Sequence, residues 1–178
     1  MFGEHRPLPA PPVQPAQPGQ RDHIAQPRKM LAETGRGISL YVPIVPVGQM
    51  RARHGVANGH ARTYKHAKQR RAEETLTAYL ARHQPPEPMD GPVMLGVRAY
   101  LPIPKSKSQK WKADAQAGRI RPTVKPDLDN LLKHVKDCLT QCRYWSDDKQ
   151  VVEYLPRTGK YYSAIPRWEI DIVPTGDM

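Results

Sequence analysis

Four aspartates in one part of the sequence have the residue types and spacing of a metal site. Asp127 and Asp129 are separated by a single leucine, and Asp147 and Asp148 are adjacent. Carboxylates held close together repel one another, and holding them ionised together is unfavourable unless a cation occupies the space between them. Magnesium favours oxygen ligands and takes one or two protein carboxylates, several waters and the phosphate oxygens of a substrate. The two pairs therefore predict a Mg²⁺ site that acts on a phosphate-bearing substrate.

The same aspartates also permit a structural interpretation. Asp127 suits the N-cap of a helix, and Asp129 suits a first turn, where the helix dipole favours negative charge. The second pair suits an ordinary turn. Lys125, Lys133 and the basic segment upstream favour a phosphate-bearing substrate, but the spacing alone leaves both interpretations open.

A helix is predicted between the two acidic pairs. Apolar residues recur there at helical spacing and give the helix one buried face. The residues of this face are Leu128, Leu131, Leu132, Val135, Leu139 and Cys142. Lys133 and Lys136 lie off the apolar face. Lys133 is one turn beyond Asp129, so it stays near the acidic end of the helix.

Two runs in this region resemble a known signature. The run KPDLDNLLKHVKDCL, followed by YWSDDKQVVE, is similar to the signature of the RusA family of Holliday junction resolvases, endonucleases found in phages and prophages. The similarity extends upstream through GHARTY, LPIPKS and IRPTVKPDLDN, and downstream to PRWEIDI. It covers roughly residues 38 to 173 and leaves out the N-terminal tail.

This resemblance implies a fold, a site and a substrate. The implied fold is α+β, a small mixed β-sheet packed with helices, in a homodimer. Asp127, Asp129 and Asp148 fall on the family's catalytic metal-binding aspartates, Asp147 is the adjacent acid, and Lys133 falls on the catalytic lysine. The implied activity is that of a Mg²⁺-dependent crossover junction endodeoxyribonuclease. Such an enzyme resolves four-way DNA junctions by paired symmetric nicks during recombination and repair.

The composition of the chain agrees with a nucleic-acid partner. The 178 residues carry a formal net charge of +11 and a pI near 9.8, which predicts a basic binding surface. No apolar run approaches the roughly 20 residues of a membrane span, so no membrane contact is expected. Cys138 and Cys142 lie in one predicted helix as reduced thiols, which indicates the cytoplasm. With His134 they have the spacing of zinc ligands, but no suitable fourth ligand accompanies them.

Two basic segments are predicted to contact DNA. The first is a loop over residues 48–64 and the second spans residues 105–125, where the cations suit a phosphate backbone. The predicted DNA-binding residues are Arg51, Arg53, Arg62, Lys105, Lys107, Lys110, Lys112, Arg119, Arg121 and Lys125. Trp111 lies among them and either stacks on an unpaired base or packs a short helix against the body of the protein.

The remaining elements predict one α+β domain. Residues 1–36 are expected to form a disordered proline-rich tail, because they offer almost no large apolar residues to a core, and residues 37–178 are expected to form the endonuclease domain. Strands are predicted over 38–42, 93–101, 150–154 and 167–173, and a helix over 65–83. Arg167, Glu169 and Asp171 alternate with apolar residues, which predicts a sheet with one face in water.

Overall fold

The central element of the fold is a long strand, β4, which pairs along both of its edges. The computed structural model describes residues 37–49, 53–57, 60–64 and 67–175, with backbone alone for 53–57 and 61–64. The strands are β1 (Ile38–Val42), β2 (Arg53–Ala57), β3 (His60–Tyr64), β4 (Val93–Pro102), β5 (Val151–Tyr154), β6 (Gly159–Ser163) and β7 (Arg167–Pro174). The helices are α1 (Ala67–Ala81), α2 (Gln109–Gln116) and α3 (Leu128–Gln141), and a 3₁₀ turn (Asp148–Gln150) leads into β5. The predicted tail lies outside the described residues.

The main sheet is mixed. On one edge β4 pairs antiparallel with β7, and β7 pairs antiparallel with β1. On the other edge β5 and then β6 pair in parallel with successive halves of β4. Strands β2 and β3 form a separate antiparallel hairpin. This architecture confirms the predicted α+β class with a small mixed sheet.

One face of the sheet and two helices form the core. The inward side chains of β4 alternate from Val93 to Leu101, as predicted. Helices α1 and α3 contribute the buried residues Leu76, Leu80, Leu131, Val135, Cys138 and Leu139. Each fully buried large apolar side chain stabilises the fold by about 1.5–3 kcal/mol. The apolar face predicted for α3 is confirmed except at its start, where Leu128 remains 36% exposed because it lies in the first turn.

Three strands were not predicted, and one predicted strand begins later than expected. Residues 48–64 were expected to form a loop, but 53–57 pairs with 60–64. Strand β6 was not predicted at all, because Gly159–Ser163 lacks apolar alternation and takes its conformation from parallel pairing with β4. The strand expected over 150–154 begins one residue later, after the 3₁₀ turn.

The sheet face turned away from the helices is filled with paired charges, so the prediction of a wet face is wrong there. Arg98 donates to Asp171 (Nη2 to Oδ2, 2.7 Å) and to Glu169 (Nε to Oε2, 3.0 Å). Arg167 donates to the other oxygen of Glu169 (2.8 Å), and the hydroxyl of Ser39 donates to Asp171. Asp171 is only 3% exposed. The charges on β4 and β7 pair with one another across the strands, and β1 adds the hydroxyl of Ser39.

This network makes the stability of the fold depend on acid pH through Glu169. Burial opposes ionisation of Glu169, but hydrogen bonds from Arg167 and Arg98 outweigh burial and hold its pKa below the usual value. The stabilisation is therefore present above the ordinary glutamate pKa of about 4.3 and is lost as pH falls through the lower, folded-state pKa. We expect the free energy of unfolding, measured in urea, to fall less steeply between about pH 5 and about pH 3 in Glu169→Gln than in the wild type. Equal slopes would contradict this, and Glu153→Gln, on the exposed side of β5, is the control.

Candidate active site

The first acidic pair lies at the start of α3 with its carboxylates open to solvent. Asp127 occupies the N-cap position with an extended backbone (φ −71°, ψ 152°), yet its side chain makes no capping hydrogen bond. Asp129 lies in the first turn, and both residues are exposed. The N-cap position predicted for Asp127 is correct, but the carboxylate does not perform the capping role. Its oxygens are left available for another ligand.

A short segment of chain packs against this start of α3 and forms a cleft there. The backbone N–H of Gln49 donates to the Asn130 carbonyl (2.9 Å), and its side chain donates to Asp137 (Nε2 to Oδ2, 2.7 Å). Gly48 lies so close to Pro126 that a Cβ on this glycine would approach the Pro126 Cβ to 2.7 Å. The cleft has a volume of about 670 Å³, and Lys68 and Lys125 line it together with Asp127. Cations beside a carboxylate in an open cleft suit a phosphate group.

The second acidic pair has two separate roles. Asp147 accepts from the backbone N–H of Lys149 (2.9 Å) and caps the 3₁₀ turn, so the turn interpretation holds for its side chain. Asp148 is half exposed and forms an ion pair with Lys136 (3.1 Å). Burial opposes the charge on Lys136, but the hydrogen bond to Asp148 and the nearby acidic groups of Tyr154, Asp148 and Asp137 together outweigh it and raise the lysine pKa. Lys136 was predicted only to lie off the apolar face. Its ion pair with Asp148, in the turn after α3, was not predicted.

Gln150 fixes the turn that carries the second pair. Its Oε1 accepts from the backbone N–H groups of Ser146 (2.9 Å) and Asp147 (3.1 Å). Its Nε2 donates to the carbonyls of Met89 (3.0 Å) and Gly91 (2.9 Å). One amide thereby ties the Asp147–Asp148 turn to the loop that precedes β4. Gln150 was not predicted to have a role, although a glutamine three residues after an aspartate is a capping-box signal.

The two acidic pairs lie at opposite ends of α3 in a single chain. Asp148 contacts Lys136 and lines a depression together with Asp137. Asp137 lies on α3, eight residues beyond Asp129. At 1.5 Å per residue, eight residues of helix span about 12 Å. Within the described part of the chain, no three histidine, cysteine or acidic residues are close enough to hold one metal ion. Asp127 and Asp129 are both exposed, and their carboxylates fit a hard cation as a partial oxygen ligand set, but Asp148 does not complete that set within one protomer.

Comparison with known proteins assigns the family. The family model described as Endodeoxyribonuclease RusA matches residues 43–173, which include α3 and both acidic pairs. The chain belongs to the RusA family of endodeoxyribonucleases. The resemblance in the sequence is thereby confirmed, and with it an endodeoxyribonuclease activity. The nucleases of the RusA family generally depend on a divalent metal.

Two relatives of this RusA-family protein differ in how much of their length they share with it. "Uncharacterized protein YqaN" of Bacillus subtilis (strain 168) is 40% identical over 129 residues, which are 71% of this chain and 89% of the relative. "Crossover junction endodeoxyribonuclease rusA" of Lactococcus phage r1t is 36% identical over 80 residues, which are 44% of this chain and 54% of the relative.

The cations predicted to contact DNA occupy several different environments in this RusA-family protein. Lys105, Lys107 and Lys110 are exposed on and before α2, and Lys112 is half-buried. Lys125 lies at the cleft beside Asp127. Arg53 and Arg62 lie on β2 and β3, where the structure describes the backbone alone, and Arg51 is outside the described residues.

Two of the predicted DNA-binding arginines already have protein partners. Arg119 forms an ion pair with Asp114 (2.6 Å). Arg121 donates to the Lys160 carbonyl (2.7 Å) and lies over the Tyr161 ring at 3.7 Å. A DNA contact by either arginine would compete with these partners, so we expect the lysines of α2 to contribute more to DNA affinity.

Trp111 and the cysteines are explained by packing. Trp111 makes an edge contact with Tyr162 (5.3 Å) in a small core cluster between α2 and β6, so the packing alternative is the one that the structure supports. His134 and Cys138 are buried in the main core. Burial raises the pKa of Cys138 to about 12, which disfavours the thiolate that zinc requires. Cys142 donates to the Thr77 carbonyl (3.4 Å).

In the described residues, no helix is long and apolar enough to cross a membrane.

The amide of Gln150 offers a test of how Asp148 is positioned. Gln150→Glu keeps an acceptor for Ser146 and Asp147, but it places a carboxylate oxygen against the carbonyls of Met89 and Gly91. We expect a loss of stability of about 1–3 kcal/mol and a fall in the DNA cleavage rate of about tenfold to a hundredfold at saturating protein. Urea denaturation and single-turnover cleavage measure the two effects.

The control for this change is Gln84→Glu, which alters an exposed glutamine after α1 in the same way. Loss of stability in Gln150→Glu with an unchanged cleavage rate would show that Gln150 supports the fold and does not place Asp148.

Proposed function

We propose that this protein is a Mg²⁺-dependent, structure-selective endonuclease that resolves four-way DNA junctions by paired symmetric nicks. The observation that carries the proposal is the exposed Asp127 and Asp129 pair at the start of α3, within the region matched by the RusA family. Asp127 makes no capping hydrogen bond and lines a cleft with Lys125. The name of the phage relative, a crossover junction endodeoxyribonuclease, supports the choice of substrate. The net charge of +11 supports a polyanionic partner.

The separation of the two acidic pairs supports a site shared by two copies of the chain. In a two-fold dimer, any contact of one copy is repeated by the other. If the Asp127 and Asp129 pair of one copy meets Asp148 of the other, symmetry generates a second identical site. Two equivalent sites match the two symmetric nicks that a four-way junction requires. The homodimer and its shared site are therefore part of the proposal.

The roles of the residues follow from their positions. Asp127, Asp129 and Asp148 would hold Mg²⁺, which supplies a Lewis acid and a water of lowered pKa for in-line attack on phosphorus. Lys133 is exposed on α3 one turn beyond Asp129, where its ammonium would stabilise charge developing on the phosphate oxygens. Lys136 would hold the Asp148 carboxylate in place through their ion pair. Asp147 would support the turn, with its own carboxylate engaged in capping.

A cleavage assay on defined DNA substrates tests the proposal. A mobile four-way junction, a flapped duplex and a linear duplex are each incubated with protein, with and without Mg²⁺. We expect paired symmetric nicks in the junction alone, and only with Mg²⁺. A stable shift of the junction without any cleavage would contradict the nuclease and favour a binding protein. Equal cutting of the flap would contradict the selectivity for four-way junctions.

The salt dependence of junction binding tests the predicted DNA surface. Each phosphate neutralised contributes a slope of about −0.9 to log K against log salt. Changing Lys110 and Lys112 to Ala together should make this slope shallower by about one to two units, while cleavage at saturating protein survives. The slope is measured by titration without Mg²⁺, and Arg82→Ala, exposed after α1, is the control. An unchanged slope in the double variant would show that α2 faces away from DNA.

A further inference from the structure

A lysine far from the acidic motif holds the chain immediately before Asp127. Lys160 lies half-buried in β6. Its Nζ donates to the carbonyl of Val124 (2.9 Å) and to the carbonyl of Pro126 (3.0 Å). Hydrogen bonds from an ammonium are charge-assisted and therefore stronger than those between neutral groups. The segment of chain from Val124 to Pro126, immediately before Asp127, is thus held by two strong hydrogen bonds from one side chain.

The strand that carries this lysine is itself firmly placed. Lys160 lies opposite Ala99 in the parallel pairing of β6 with β4, and Tyr162, two residues further along β6, packs on Trp111. Lys160 therefore connects the start of α3 to β6, the strand that pairs with the end of the central strand β4.

Pro126 is held on its other side as well. A Cβ on Gly48 would come within 2.7 Å of the Pro126 Cβ, so the proline lies directly against the backbone of this glycine. Between Gly48 and the ammonium of Lys160, the peptide leading into Asp127 has little room to shift. The backbone that leads into Asp127 is thereby positioned by contacts outside α3.

A second connection joins the same segment to the same residue. The guanidinium of Arg121 donates to the carbonyl of Lys160 (2.7 Å) and lies over the ring of Tyr161 at 3.7 Å. Residues 121–126 are therefore fastened to β6 both by the backbone of Lys160 and by its side chain.

We infer that Lys160 is a positioning residue of the proposed active site, which fixes the backbone at residues 124–126 so that Asp127 and Asp129 face a divalent cation together. This inference rests on the proposed function. Lys160 acts through the backbone carbonyls and has no part in binding DNA or in the chemical step. Its loss should therefore weaken metal binding while leaving metal-free junction binding unchanged.

Three variants of Lys160 separate this role from the alternatives. Lys160→Met keeps most of the length of the side chain and removes every donor. Lys160→Arg keeps the charge and the donors, and Lys160→Gln keeps two donors without the charge. Arg82→Met removes one exposed positive charge elsewhere and is the matched control.

The primary measurement is binding of Mn²⁺ to the DNA-free protein, followed by electron paramagnetic resonance. The Mg²⁺ concentration for half-maximal junction cleavage, metal-free junction affinity and the Tm accompany it. We expect Lys160→Met to weaken Mn²⁺ binding and to raise the Mg²⁺ requirement by about tenfold or more, with partial rescue in Lys160→Arg. Metal-free junction affinity should change by less than about twofold, as in Arg82→Met.

Several outcomes would overturn the inference. Unchanged Mn²⁺ binding and Mg²⁺ dependence in a folded Lys160→Met would show that Lys160 is structural only. Reduced metal-free junction affinity with unchanged metal binding would instead show a direct contact with phosphate. If Lys160→Met fails to fold, Lys160→Gln and Lys160→Arg decide by the same criteria.

Wild-type protein that binds Mn²⁺ but cuts no junction would refute the proposed function while the Mn²⁺ comparison still tests Lys160. Wild-type protein that binds no Mn²⁺ would refute both.

Discussion

Asp129→Asn is expected to lose junction cleavage by at least about a hundredfold while binding the junction as well as the wild type or more tightly. The amide keeps the size of the side chain and its place in the first turn of α3, but it removes an anionic ligand from the proposed metal site. It also removes one negative charge beside the phosphate, which favours DNA binding in the absence of metal. Single-turnover cleavage with Mg²⁺ and junction titration without Mg²⁺ measure the two effects.

The control for Asp129→Asn is Glu87→Gln, which removes an exposed acidic charge from the loop after α1. It should leave both cleavage and binding close to those of the wild type. A parallel loss of binding and cleavage in Asp129→Asn, together with a lower Tm, would assign the residue a structural role at the helix start and would count against the metal site.

A mixture of two inactive variants is expected to regain cleavage. In a dimer of one Asp129→Asn chain and one Asp148→Asn chain, shared sites would place both substitutions in one site and leave the other site intact. Random pairing makes about half of the dimers mixed, so about a quarter of all sites should be active. These dimers should nick one strand of a junction without the paired second nick. Each variant alone should stay inactive.

Formation of mixed dimers is verified by tagging one variant and recovering the other with it. If mixed dimers form and no nicking returns, Asp129 and Asp148 of the same copy belong to one site. The two residues, which lie toward opposite ends of α3, would then have to come together within a single chain. Protein that remains monomeric at the assay concentration and still cuts junctions would refute the shared site directly. Single nicks from mixed dimers together with paired nicks from the wild type would support both the dimer and the sharing of residues.

The sequence predicted best the features whose determinants are local. The apolar spacing of α3 placed Leu131, Val135 and Leu139 in the core, and the same spacing located Asp127 at the helix start. The sequence did not show which aspartate at an N-cap position makes a capping hydrogen bond, because this bond depends on the rotamer of a single side chain. The structure distinguishes them: Asp147 caps its turn and Asp127 does not.

Features that depend on distant parts of the chain were missed. Strand β6 forms because Gly159–Ser163 lies alongside β4, about sixty residues earlier, and nothing in its own composition marks it. The bonds from Lys160 to Val124 and Pro126 connect residues more than thirty positions apart. The hairpin of β2 and β3 had a local signal, the dipeptide Asn58-Gly59 between the strands, which is typical of two-residue hairpin turns. Its glycines and arginines were instead interpreted as a phosphate-binding loop.

The pairing of β4 bears on how the protein becomes active during its synthesis. Strand β4 is made before α3, but its partners β5, β6 and β7 all follow α3 in the chain. Contacts between distant segments form late, because the loop between them must close first. Helix α3 therefore leaves the ribosome before the sheet that supports it is complete, and the strand bearing Lys160 follows later still. If Asp127 and Asp129 form the proposed metal site, that site would therefore become fixed only after β7 has left the ribosome and joined the sheet.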